Sequence, residues 1–150
     1  MKRILISLGV ISVSLVFMMS MLKGFTQDTS LSDWGNNFPG YIEASQLQSV
    51  SAKPIALFFH TDWCSSCKTL REQVLSSSEV KAFMQNLHPV QINPEISAYE
   101  ETLAQEFGVM AYPSFFLVME NGDVVKQISR TTNISPAQFV TQLQEALAGS

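Results

Sequence analysis

Apolar and polar positions alternate along the chain in blocks of different period, and each block predicts an element. Ile4 to Leu22 is uncharged and mostly apolar, diluted by Ser7, Gly9, Ser12, Ser14 and Ser20. Gly24 to Asn37 is polar and mixed and reads as a linker. Tyr41 to Val50 reads as a short strand end and then a helix with Leu47 and Val50 facing inward. Ile55 to His60 is apolar at every position before the histidine, as in a central strand covered on both faces. A helical pattern then runs from Cys64 and breaks near Ser76-Ser77-Ser78. Val80, Phe83, Met84 and Leu87 recur at helical spacing, so a second helix follows with a serine cap. Pro89 to Ile92 is the next strand, ended by Asn93-Pro94. Tyr99 to Phe107 is an acidic amphipathic helix closed by Gly108. Ser114 to Met119 and Val124 to Ile128 are strands joined by the hairpin signal Asn121-Gly122. Ser135-Pro136 caps a last helix whose buried stripe is Phe139, Val140, Leu143 and Leu147. Helices between strands predict parallel crossovers, and the hairpin adds an antiparallel edge. The expected domain is α/β, a mixed sheet with helices on both faces.

Charge changes the picture at the N-terminus. Lys2, Arg3 and Lys23 are three of the nine cations, and no acid falls among the first 23 residues. Nineteen uncharged, mostly apolar residues after a basic start are long for a signal-peptide core and just long enough to span a bilayer. No Ala-x-Ala cleavage site follows. The expectation is a signal anchor over a cleaved signal peptide at 1–23, a linker at 24–37 and one domain at 38–150. The positive-inside rule sends the C-terminal part across the membrane. Met18, Met19 and Met21 are apolar filler in this reading rather than metal ligands. Trp34 fits either the membrane interface or the edge of the domain. With the basic start set apart, thirteen acids face six cations, so the domain is acidic and carries no basic stripe for nucleic acid.

Cys64 and Cys67 are the only cysteines in 150 residues. They stand at C-x-x-C spacing between an apolar strand and a helix. The free N–H groups and positive dipole at a helix N-terminus favour a thiolate, which makes Cys64 the candidate nucleophile. Cys67 lies one turn on, close enough to close a disulfide and resolve an intermediate. In an oxidising compartment a structural disulfide is the plain alternative. The loop is too short for much chain-entropy gain, so the spacing suits exchange better than stapling.

The stretches Phe58-Phe59-His60-Thr61-Asp62-Trp63-Cys64-Ser65-Ser66-Cys67-Lys68, Phe107-Gly108-Val109-Met110-Ala111-Tyr112-Pro113-Ser114-Phe115-Phe116 and Asn121-Gly122 together resemble the thioredoxin-like superfamily. Within it, Asp-Trp-Cys-x-x-Cys-Lys and the later Ser-Glu-Val look most like the C-terminal periplasmic domain of the thiol:disulfide interchange protein DsbD. The resemblance covers about residues 38 to 148. It implies a thioredoxin fold, Cys64 as exposed nucleophile and Cys67 as its buried partner. It also implies Trp63 packed beside the disulfide and a cis peptide bond at Pro113. The backbone of Tyr112 would then pair with a client chain as a short added strand. Two positions depart from the pattern. Phe58 stands where many relatives carry a buried acid, and Arg71 where DsbD-like domains tend to carry another. A nearby Arg would favour thiolate, and Arg71 also fits a plain solvated helix position. Ser65-Ser66 replaces the familiar Gly-Pro, so no redox potential carries over.

The function this implies is an exported, membrane-anchored thiol–disulfide oxidoreductase acting on protein clients, as a reductase ahead of an oxidase. It would work on the periplasmic face of the inner membrane, or free in the periplasm if the leader is cleaved. Its cofactor is the disulfide itself, and a membrane electron donor is a candidate partner. A Cu(I) carrier using the same two sulfurs near His60 is the alternative from another class. Zinc would need more ligands than the pair offers. His88, before Pro89, reads as a surface residue. An adaptor supplying reduced cysteines to a maturation pathway would share the chemistry and differ in client.

Overall fold

A computed structural model describes residues 31–128 and 133–149. The N-terminal apolar segment and residues 24–30 of the expected linker lie outside the described residues. No helix among the described residues is long and apolar enough to cross a membrane.

Five strands form one sheet in the order β1-β3-β2-β4-β5. They are β1 (Gly35–Asn36), β2 (Ile55–Phe59), β3 (His88–Ile92), β4 (Ser114–Val118) and β5 (Val124–Ile128). β3 lies parallel to β1 and β2, while β4 runs antiparallel to β2 and β5. The helices are α1 (Asn37–Ser51), α2 (Ser65–Leu70), α3 (Ser78–Met84), α4 (Ala98–Glu106) and α5 (Pro136–Ala148), and α2 continues as a π-helical turn, Arg71–Leu75. Mixed pairing follows the connections: helical crossovers join the parallel strands, and the Asn121-Gly122 turn reverses the chain between β4 and β5.

Every residue of β2 is buried, and the pleat divides them between two cores. Ala56 and Phe58 face α2, α3 and α5, packing with both cysteines, Leu70, Val74, Phe115, Phe139 and Leu143. Ile55, Leu57 and Phe59 face α1 and α4, packing with Ala44, Val90, Ile92, Leu103 and Phe116. The caps that the sequence predicts are used, and helix α4 has one that it did not predict. Ser77 accepts the Val80 N–H at 3.3 Å, Ser97 caps α4, and Ser135 forms a capping box with Gln138. Gly108 takes φ 62° just past α4, the left-handed conformation that ends a helix.

Three expectations change, the first at Tyr41, which lies inside helix α1 rather than at a strand end. Residues 31–37 belong to the domain rather than to a linker. Leu31 and Trp34 are buried, Trp34 meets Phe58 and Phe115 edge-on at 6.4 and 6.3 Å, and Gly35–Asn36 is strand β1. Leu47 and Val50 do not face inward: they are 44% and 81% exposed, and α1 buries Gly40, Ala44 and Gln48. The reason is a close backbone approach. A Cβ on Gly40 would stand 2.7 Å from the carbonyl carbon of Gly35, so only glycine fits at that position of α1. Gln48 is tolerated on the same buried face because its Nε2 donates to the Val118 carbonyl at 2.9 Å.

Candidate active site

β2 delivers the chain to the site and α2 carries it away. After Phe59 the backbone turns through Thr61 to Trp63, and the Cys64 N–H donates to the Thr61 carbonyl at 3.3 Å. Cys64 is the N-cap of α2 in an extended conformation, and its Sγ accepts the Cys67 N–H at 3.1 Å. That N–H is one of the donors a helix leaves free at its start, here aimed at sulfur. Cys64 and Cys67 form a disulfide with Cα atoms 5.2 Å apart. The expected contrast in exposure is small in this oxidised form: Cys64 is 5% exposed and Cys67 1%. Cys67 faces the core with Phe58, so Cys64 is the more accessible sulfur by a narrow margin.

The other sequence-derived residues gather around this turn. Trp63 is 68% exposed and meets Tyr112 edge-on at 6.3 Å. The Tyr112–Pro113 peptide bond is cis, as the resemblance implies. Tyr112 is half-buried and packs against both cores. The Trp63 indole N–H donates to both carboxylate oxygens of Glu95, at 2.8 and 3.0 Å. Sequence reasoning missed Glu95. It lies 32 residues away in the loop after β3, and no local pattern marks it.

Phe58 is fully buried, stacked on His60 at 5.3 Å and an interplanar angle of 21°. His60 is buried too, and its Nδ1 stands 3.3 Å from Nη2 of Arg71. A guanidinium only donates, so Nδ1 accepts and the imidazole proton sits on Nε2. Burial, and then the Arg71 charge, lower the His60 pKa to about 4, against partial opposition from Asp62. His60 is therefore neutral at physiological pH. Arg71 is half-buried, not a freely solvated helix residue. His60, Asp62, Arg71, Asn37, Asn93 and Ile96 line a polar recess of about 270 Å³ beside the site. The two positions at which the sequence departs from the resemblance, Phe58 and Arg71, thus meet at His60, one stacked on its ring and the other at its Nδ1. His88 lies away from this site, half-buried, with Nε2 2.7 Å from Ser51 Oγ.

A disulfide at the start of the helix that follows the central strand, with a cis-proline in the segment that leads into β4, defines a thiol–disulfide oxidoreductase. The chain belongs to the thioredoxin-like domain family, whose profile matches residues 43–147. It is 31% identical to the disulfide bond reductase DsbH of Chlamydia pneumoniae over 120 residues, 71% of this chain and 70% of that protein. It is 28% identical to the thiol:disulfide interchange protein DsbD of Yersinia pestis over 117 residues, 75% of this chain. The match spans only 20% of that DsbD. Among solved structures, a DsbH oxidoreductase superposes with a TM-score of 0.66 at 25% identity, covering 82% of this chain and 92% of that one. The oxidised C-terminal domain of Neisseria meningitidis DsbD superposes with a TM-score of 0.63 at 22% identity, covering 75% and 98%, and shares the fold.

Proposed function

We propose that the chain exchanges disulfides with exported protein clients, as a reductase, from the periplasmic face of the inner membrane. One observation carries the chemistry: the Cys64–Cys67 disulfide at a helix N-terminus, with the Cys67 N–H directed at the Cys64 sulfur. In the reduced protein that N–H and the helix dipole stabilise negative charge on Cys64, which makes it the nucleophile. Its thiolate attacks one sulfur of a client disulfide and expels the other as a thiolate, leaving a mixed disulfide. Cys67 loses its proton and attacks the Cys64 sulfur, releasing the second client thiol and closing Cys64–Cys67. Two electrons pass from the dithiol to the client. The backbone of Tyr112, beside the cis-proline, holds the client strand, and Trp63 flanks it.

The reductase direction is supported by the name of the similar DsbH protein, a disulfide bond reductase. Anchoring through residues 4–22 rests on their length and on the basic residues before them. The domain organisation we propose is an anchor at 1–23, a short linker and the thioredoxin-like domain. A membrane electron donor would re-reduce the pair.

The full chain is expected to accelerate reduction of insulin by dithiothreitol, and Cys64→Ser to abolish that acceleration. Wild type that gives no acceleration over dithiothreitol alone contradicts a reductase. The Cu(I) carrier finds less support, because His60 turns its Nδ1 to Arg71. Titrating the reduced chain with Cu(I) decides it: tight one-to-one binding would favour that reading.

A further inference from the structure

Resting on the exchange reading above, we infer that the client-facing surface selects segments in which the reactive cysteine is flanked by apolar and basic residues. Trp63, next to Cys64, and Met110, two residues before Tyr112, are 68% and 84% exposed, and Trp63 meets Tyr112 edge-on. An apolar surface of this kind accepts an extended apolar segment, and charge then decides which one. Glu95 is fixed at this surface by its two hydrogen bonds from the Trp63 indole. Glu101, exposed on α4, acts together with Glu95 on the Tyr112 phenol and, after burial, raises its pKa. Glu95 therefore holds a carboxylate beside Trp63, which itself meets Tyr112, and Glu101 adds negative charge acting on that tyrosine.

Two cations stand close to the cysteines in sequence. Arg71 is turned to His60 and shares the polar recess with Asp62. Lys68 is exposed on α2, immediately after Cys67 in sequence. Two carboxylates beside an apolar client surface attract Lys or Arg and repel Asp or Glu. The effect weakens as salt shortens the screening length.

The test uses the reduced full chain and two peptides, acetyl-Lys-Leu-Cys-Leu-Lys-amide and its Glu counterpart, each as a mixed disulfide with 2-thiopyridine. The protein dithiol is oxidised to the disulfide, and peptide thiol and thiopyridone are released. Thiopyridone absorbance gives the rate, normalised to the same reaction with uncharged dithiothreitol. At low salt the Lys peptide is expected to react at least about threefold faster than the Glu peptide, with the ratio falling toward one as salt is raised. In the Glu95→Gln, Glu101→Gln double variant the ratio is expected to approach one at low salt as well. Equal normalised rates in wild type, or a preference that survives in the double variant, overturn the charge selection while leaving exchange intact. Release from neither peptide, by protein shown to hold two free thiols, overturns the exchange reading and the selection with it.

Discussion

Cys67→Ala is expected to stop turnover and leave Cys64 joined to its clients. The mechanism assigns the two sulfurs different tasks. Cys64 sits at the N-cap with an N–H directed at its sulfur, and both cysteines pack in one core with Phe58, Cys67 the more deeply buried. Without Cys67 the first attack still occurs, but nothing within reach can expel the client. Multiple turnover should fall by about a hundredfold or more, and covalent adducts should accumulate. Non-reducing gels of cells expressing the variant should show them, and dithiothreitol should dissolve them. Cys64→Ser, which keeps Cys67, should form none. The substitution removes one buried sulfur and leaves a small void, a loss of about 1 kcal/mol that the fold can absorb. Adducts that persist without Cys64 would reverse the assignment of the two cysteines.

Acid should destabilise the domain well before its carboxylates titrate, through His60. An unfolded histidine binds its proton near pH 6.5, whereas the buried His60 does so near pH 4. Above 6.5 both states are neutral and stability is complete. Between 6.5 and 4 the unfolded state holds a proton that the folded state refuses, so stability falls as pH falls, and the loss levels off below 4. By pH 5 the loss should reach about 2 kcal/mol. Glu100 adds a loss only at lower pH. Burial raises its pKa, but hydrogen bonds from Ser97 and the Phe38 N–H outweigh this and hold it below 4.5. Its contribution is therefore present above 4.5 and lost as pH drops through the lowered value. His60→Gln keeps an acceptor for Arg71 but cannot titrate, so its urea midpoint should stay nearly flat between pH 7 and 5. A wild-type midpoint equally flat over that range would contradict the burial of a neutral imidazole.

The chemistry was legible in the sequence because its signals are local. Two cysteines three residues apart, an apolar strand before them and a helical period after them need no tertiary knowledge. The same holds for the serine caps and the Asn-Gly hairpin. Tyr112–Pro113 was readable through resemblance rather than through physics alone. What escaped depends on contacts between distant residues. Helix α1 buries Gly40, Ala44 and Gln48 because the Gly35 backbone lies against it, which the pattern of Leu47 and Val50 cannot reveal. Trp34 fills the core between Phe58 and Phe115, although its polar neighbours read as linker. Glu95 meets Trp63 across 32 residues of sequence, and His60 meets Arg71 across 11. Both pairs were composed of residues whose separate signals are weak.

The reduction potential of the Cys64–Cys67 couple tests the central claim most directly, namely that this disulfide exchanges rather than staples. The full chain would be equilibrated in glutathione and dithiothreitol buffers, trapped by alkylation and counted for free thiols. The account predicts reversible exchange with a potential between about −120 and −270 mV, toward the lower end for a reductase. A pair that stays oxidised to below about −300 mV would be a structural disulfide, and the account would be wrong.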